Sequence, residues 1–393
     1  MTVFLFLKQF VDILYQYQIL DYGMVIFAIV LLGYKVWKDR VYVNIKEKMC
    51  MADIIVLLLI GVFGFAFLRN MSFYGVFFKV LSAFLIYFLG RVYGREITKY
   101  GKWLALAGYL VIYANLLYRC YIFGGKLFVS EELLQKGILD TGAFYYYKTD
   151  LAVGMIIASI FVYAFSECRY LKWFTIVPVT GYMVFYSNAR TGMLLLIIEY
   201  ILIAIYEIVK IKGRICVSDK VTKVFIIATI IMIIIAFVFI QVYVKNNISF
   251  QPRVRNEAGE FTLLEKLFHS RHVIWWEVTQ YFSEQNFFTR LLGIDLGTEY
   301  LHNLTGDRMH SMYFKLLYSV GYMGVLLFVG FIACILRQLN KCKNGQVIYV
   351  TLALLLVFMV MWLTIESLEL TQMSWFMMLF SGAAFSAGVG IDE

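Results

Sequence analysis

Charge is what this chain has least of: 16% of its 393 residues are Asp, Glu, Lys or Arg, against 62% hydrophobic and 18% aromatic. Soluble domains carry about 25% charged residues. A separate soluble domain is therefore excluded, and the strongly positive mean hydropathy marks an integral membrane protein. Other features are missing as well. No internal repeat or low-complexity tract is present, which removes the best sequence support for an inverted-repeat transporter. Residues 1–18 contain Lys8 and Asp12 and lack a small-residue cleavage site, so they read as an interfacial helix or the lead-in to a first span, not as a cleavable signal peptide. No Asp-x-Asp pair occurs anywhere, so a diphosphate held by a metal is not expected. The net charge of +9 would point to nucleic acid in a soluble protein. In a membrane protein it raises a different question, namely which side the positive residues occupy.

Apolar runs long enough to span a bilayer fall at about 20–37, 52–69, 73–90, 103–122, 151–167, 172–187, 191–209, 223–244, 312–336, 346–365 and 373–389. This predicts an all-α, polytopic protein of about eleven transmembrane helices, forming one membrane domain over 1–393. More than half of the basic residues sit in alternate short loops, among them Lys35, Lys38, Arg95, Lys99, Lys172, Lys212, Arg337 and Lys341. By the positive-inside rule those loops are cytoplasmic, which puts residue 1 outside and residue 393 inside. Cys50, Cys168, Cys216, Cys334 and Cys342 lie in or near the cytoplasmic loops and Cys120 toward the outside, so no disulfide framework is implied.

Two segments remain outside, a medium loop at 123–150 and a large one at 245–311. All four histidines (His269, His272, His302, His310) lie in the large loop. Its stretch FTLLEKLFHSRHVIWWEVTQYF spaces Leu264, Leu267, Phe268, Trp275, Val278 and Phe282 as one helical face, with Arg271 in the middle. A guanidinium on an apolar face needs an anion, a structural carboxylate or a route to lipid headgroups. The glycines of RLLGIDLG (290–297) then predict a turn. Zinc held by His269, His272 and a third histidine would lack an outer cysteine to complete it. A second arginine stands in SNARTG, where Ser187 and Asn188 can cap the following helix and Arg190 lies at its N-terminus. Free N–H groups and a guanidinium together suit an anion, and an anchor in headgroup phosphates is the alternative.

After the large loop, Met309-His310-Ser311 opens an apolar helix. His310, Phe314, Leu317 and Gly321 fall on one stripe with Gly324 at its edge. Small residues on a face predict close packing against a second helix.

Taken in order, SNAR at a helix start, Arg271-x-x-x-Trp275, LLGIDLG and His310-Ser311 followed by nine residues and Gly321-x-x-Gly324 resemble the O-antigen polymerase and O-antigen ligase superfamily. The motifs cover about 180–340, and the string TGAFYYYKTDLA is similar to another of that family's segments. The family often has Asn where this chain has Ser311. The resemblance implies a GT-C-type glycosyltransferase fold with one large extracytoplasmic loop in a bacterial inner membrane, polyprenyl-diphosphate-linked glycans as donor and acceptor, and no metal. It also leaves room for a flippase and a chain-length regulator as partners. Arg190 and Arg271 would then hold the diphosphate and stabilise charge on its bridging oxygen. His310 would be the general base or position the acceptor.

Ser311, Tyr145 and Glu366 are further substrate-binding candidates. The three tyrosines Tyr145, Tyr146 and Tyr147 could stack on sugars or simply anchor the interface, and Glu366 with Glu369 could orient an arginine or hold acceptor hydroxyls. Two intramembrane charges, Lys79 and Glu199, are expected to form a structural ion pair. The leading function is polymerisation of lipid-linked repeat units. A ligase acting on another acceptor and a lipid or ion transporter are the other two readings.

Overall fold

The computed structural model describes residues 1–14, 17–38, 49–122, 141–142, 145–185, 190–211, 271–297, 309, 311–363 and 367–386. Its helices are α1 (Thr2–Ile13), α2 (Gln18–Lys38), α3 (Met51–Arg69), α4 (Tyr74–Lys99), α5 (Gly101–Ile122), α6 (Lys148–Phe165), α7 (Arg169–Phe185) and α8 (Arg190–Ile211). After the large loop begin α9 (Arg271–Ser283), α10 (Phe287–Leu292), α11 (Met312–Leu339), α12 (Gly345–Met361) and α13 (Thr371–Ser386). A two-stranded antiparallel hairpin, β1 (Thr141–Gly142) with β2 (Tyr145–Tyr147), is the one exception to an all-helical fold among the described residues. Each predicted span lies on a helix except 223–244, which falls outside the described residues. Helices α2, α3, α4, α5 and α11 are long and apolar enough to cross a membrane, and α6 and α12 are shorter apolar helices.

The bundle is built around α13, whose residues from Thr371 to Ala384 are all buried. A helix apolar on every side belongs in the middle of a bundle. Its closest partner is α4, and glycines make that approach possible: a Cβ on Gly90 would strike the Leu379 carbonyl, and one on Gly382 the Tyr87 carbonyl. Here is the small-residue seam that membrane helices use in place of a hydrophobic driving force. The indole of Trp375 donates to Ser82 Oγ at 2.9 Å across the same interface.

Three expectations need correction. Helix α1 is not interfacial. Phe4 and Leu5 are buried, Lys8 is 1% exposed, and Gln9 donates to the Leu104 carbonyl at 2.8 Å. Phe6 meets Trp103 and Gln9 meets Leu104, so α1 runs parallel to α5. Met1 lies within electrostatic reach of Glu96, which pairs with Lys35 at 2.5 Å. Residue 1 therefore sits at the end of the bundle that carries the basic loops, not at the opposite end. Twelve residues rise about 18 Å, roughly half a hydrocarbon core, so α1 enters the bundle without crossing it.

The second correction concerns the stripe on α11. Gly321 has φ 64° and ψ −166°, and the helix breaks there. Trp362 touches both halves: its carbonyl accepts from Met312 N–H at 2.9 Å while its ring lies 4.6 Å from that of Phe328. A straight helix would separate Met312 from Phe328 by about 24 Å, so the halves bend toward one another. Gly321 meets the backbone of Arg290, Leu291 and Gly293, and Gly324 meets its own Val320 side chain. Gly321 therefore both breaks α11 and lets the end of α10 come close, as the small-residue face predicts, whereas Gly324 meets only its own helix. Third, Lys79 and Glu199 do not pair. Glu199 lies beside Ser159 and Tyr349 with one carboxylate oxygen unpartnered, whereas Lys79 lines a cavity elsewhere.

Candidate functional site

The break in α11 and the loop before it form one unit at the end of the bundle remote from the basic loops. Asn286 caps α10 by accepting from Thr289 N–H at 2.9 Å, and the chain then turns at Gly293, where φ is 87°. Both that turn and Gly321 need positive φ, which only glycine adopts cheaply. They also occupy the same space: a side chain on either would hit the other segment's backbone. The Ile294 N–H donates to the Tyr318 carbonyl at 2.7 Å, and Arg69 donates to the Gly293 carbonyl. Thus the Tyr318 carbonyl at the break and the Gly293 carbonyl at the turn both find donors within the chain.

Helix α9 lies along the first half of α11. Trp275 stacks on Phe314 at 5.3 Å, Tyr281 on Tyr318 at 6.3 Å, and Phe282 meets Tyr322 edge-on at 5.5 Å. The predicted apolar face is real where it is described, since Trp275, Val278 and Phe282 are all buried. Trp275 also donates its indole N–H to the Met309 carbonyl at 2.9 Å, while the Ser311 hydroxyl donates to the Trp362 carbonyl at 3.0 Å. The chain is therefore pinned on both sides of position 310, by α9 on one side and α12 on the other.

Arg271 begins α9 one turn before Trp275 and is partly buried. Burial lowers its pKa from the usual guanidinium value, and it makes no ion pair among the described residues. An arginine remains charged under these conditions, so the arrangement keeps a cation within about one helical turn of the indole that holds Met309. Ser311 is 1% exposed, and its hydroxyl proton is committed to Trp362. Arg190 opens α8, whose neighbours are α6, α7 and α12. The side chains of Arg190 and Tyr145, like His310 and Glu366 altogether, lie outside the described residues. Arg271 and the residues flanking His310 are thus brought together.

The first turn of α11 leads directly to a cavity. Lys315, whose N–H bonds to the Ser311 carbonyl at 3.1 Å, forms an ion pair with Glu369, and Glu369 lines a cavity of about 780 Å³. Glu369 was expected to orient an arginine or hold acceptor hydroxyls; among cations it pairs with a lysine, Lys315. The cavity's polar end carries Asp21, Lys79, Asp150, Glu369, Thr371 and Gln372, and its apolar part is walled by Val25, Ile29, Ile60, Leu81, Leu85 and Phe88. From Asp21 to Ile29 along α2 is about 12 Å. Tyr22, Ile29 and Phe78 are about half exposed on the outside of the bundle, which opens this space sideways. Lys8 pairs with Asp12, stands 3.9 Å from Asp21, and lies over the Trp375 ring.

Lys8, Asp21, Asp150 and Lys315 were not among the sequence candidates. Lys315 could have been found as a lone cation one turn into an apolar helix that starts at His310-Ser311, and Asp150 as the acid in TGAFYYYKTDLA. Lys8 and Asp21 carry no such signal, because their meeting depends on α1 entering the bundle. Compared with models of known protein families and with curated proteins, the chain matches none.

Proposed function

We propose that this chain is a membrane glycosyltransferase that polymerises polyprenyl-diphosphate-linked oligosaccharide repeat units into a surface polysaccharide. In this reading it has eleven spans in a GT-C-type arrangement and works at the extracytoplasmic face of a bacterial inner membrane. The observation that carries it is the union of motif segments that are distant in sequence. Trp275, Phe314, Met309, the Gly293 turn and Gly321 form one packed unit, with Arg271 one helical turn from Trp275, and that unit joins an amphipathic cavity through Lys315 and Glu369.

In the proposed reaction the guanidinium of Arg271, with that of Arg190, grips the diphosphate and stabilises charge as it gathers on the departing oxygen. His310 removes the proton from the acceptor hydroxyl as that oxygen attacks the anomeric carbon from the opposite face, inverting it. Partners on this reading are the lipid-linked donor and acceptor and the surrounding membrane lipids. A transporter would share the broken helix. Here, however, the break is filled among the described residues by the Arg290–Gly293 backbone.

The test is to incubate purified, reconstituted protein with a single lipid-linked repeat unit. A ladder of chain lengths is expected. One transfer that occurs only after a second acceptor is added would make the protein a ligase instead, and no transfer with any acceptor would remove the enzyme reading.

A further inference from the structure

The cavity beside α11 does not have the charge of a phosphate site. Asp21, Asp150 and Glu369 face it from three segments against one ammonium, Lys79. Behind them Lys8 stands near Asp21 together with Asp12, and Lys315 holds Glu369. A phosphate group here would meet more negative than positive charge. An ammonium headgroup would find Glu369 held by Lys315, and Asp21 with Lys8 nearby and Thr371 Oγ1 donating at 3.2 Å, which leaves it Asp150 alone.

Asp150 differs from both. It is 5% exposed, lines the cavity, and makes no ion pair or hydrogen bond with any described residue. A buried carboxylate must find donors. An ionised carboxylate offers about four lone-pair sites, so even Asp21 and Glu369 keep capacity to accept. Gln372 adds an amide that both donates and accepts. Neutral hydroxyl groups satisfy all of these without adding net charge. Below this end lies the sideways-opening apolar space, deep enough for the first part of an aliphatic chain.

We infer that this cavity binds the glycosyl headgroup of an uncharged or distally charged glycolipid, its hydroxyls donating to Asp150 and its tail leaving between α2 and α4. The binding does not rest on the proposed function, whose polymerase acceptor carries a diphosphate; transfer of glycan to the bound sugar belongs to the ligase form of that reading.

The experiment uses the full chain in nanodiscs and measures saturable binding of tritiated dodecyl maltoside, with dodecyl phosphate and a short-chain phosphatidylethanolamine as competitors. The maltoside is expected to bind and to resist both competitors. Asp150→Asn should weaken binding by about tenfold, the size of one lost hydrogen bond to a charged group. Ile29→Trp, at the exposed entrance where folding is not at risk, should weaken it as well, while Leu326→Trp on the outer surface of α11 should not. Stronger binding of the phosphate or the phosphatidylethanolamine, or unchanged maltoside affinity in both Asp150→Asn and Ile29→Trp, overturns the assignment. Maltoside binding by a protein that makes no ladder supports this site and sinks only the transfer reaction.

Discussion

Asp53 and Asp150 both stand in the first turn of a helix, and both are about 95% buried, yet they face opposite situations. At the basic end, Asp53 accepts from the Cys50 N–H at 2.9 Å, from the Tyr87 hydroxyl at 2.8 Å, and from Arg91 through Nε at 2.9 Å and Nη2 at 3.0 Å. At the other end, Asp150 borders a cavity with no partner among the described residues. Equal burial therefore does not mean equal purpose. A saturated carboxylate ties α3 to α4 and has nothing left for a ligand. An unsaturated one beside open space has capacity for a ligand, since leaving it ionised and unsatisfied costs free energy that a ligand, water or a bound proton returns.

The largest effects should fall on transfer at the far end. His310→Ala and Arg190→Ala are each expected to lower the rate by about 10²–10⁴, the usual worth of a general base or a fixed charge at the departing oxygen, with the melting temperature unchanged. Wild-type rates from either variant would remove that residue from the site. Next, Asp53→Ala should cost about 3 kcal/mol of stability by removing the carboxylate that the partly buried Arg91 guanidinium and the buried Tyr87 hydroxyl share, measured as a drop in thermal midpoint. Asp150→Asn should cost less than about 1 kcal/mol, because no bond is broken. Equal losses from the two would erase the contrast between the ends.

Comparable to Asp53→Ala is Gly321→Ala, expected at about 1–3 kcal/mol from a backbone conformation that essentially only glycine adopts, with further loss because its Cβ would meet the Arg290, Leu291 and Gly293 backbone. The smallest effect is predicted for Lys79→Met, within about 0.5 kcal/mol. A much larger loss would indicate an ion pair like the one first expected with Glu199.

How much could be read beforehand follows a physical line. Apolar runs identify helices because each must hide its backbone from lipid, and the described helices other than α1, α9 and α10 lie on the predicted runs. The face of α9 was legible from the spacing of Trp275, Val278 and Phe282, and the turn at Gly293 from its glycines. What could not be read is where a short helix goes. α1 carries Lys8 and Asp12, which look like surface residues until each neutralises the other inside the bundle. The break at Gly321 was also hidden, because Gly-x-x-Gly on a helical face is the same string whether it only packs a neighbour or also breaks the helix. Of the site, the segments containing Arg271 and Ser311 were found by motif. The cavity was not, since Asp21, Lys79, Asp150 and Glu369 come from four separate stretches with no common pattern.

The central claim is that Arg271, one turn from the indole that holds Met309 and without an ion pair among the described residues, acts on a substrate and does not merely hold the fold. The most direct test reconstitutes wild-type and Arg271→Ala protein side by side with one lipid-linked repeat unit and resolves the product lengths on a gel. A ladder from the wild type and none from Arg271→Ala, at equal melting temperatures, is the predicted result. A ladder of wild-type length from Arg271→Ala would contradict it.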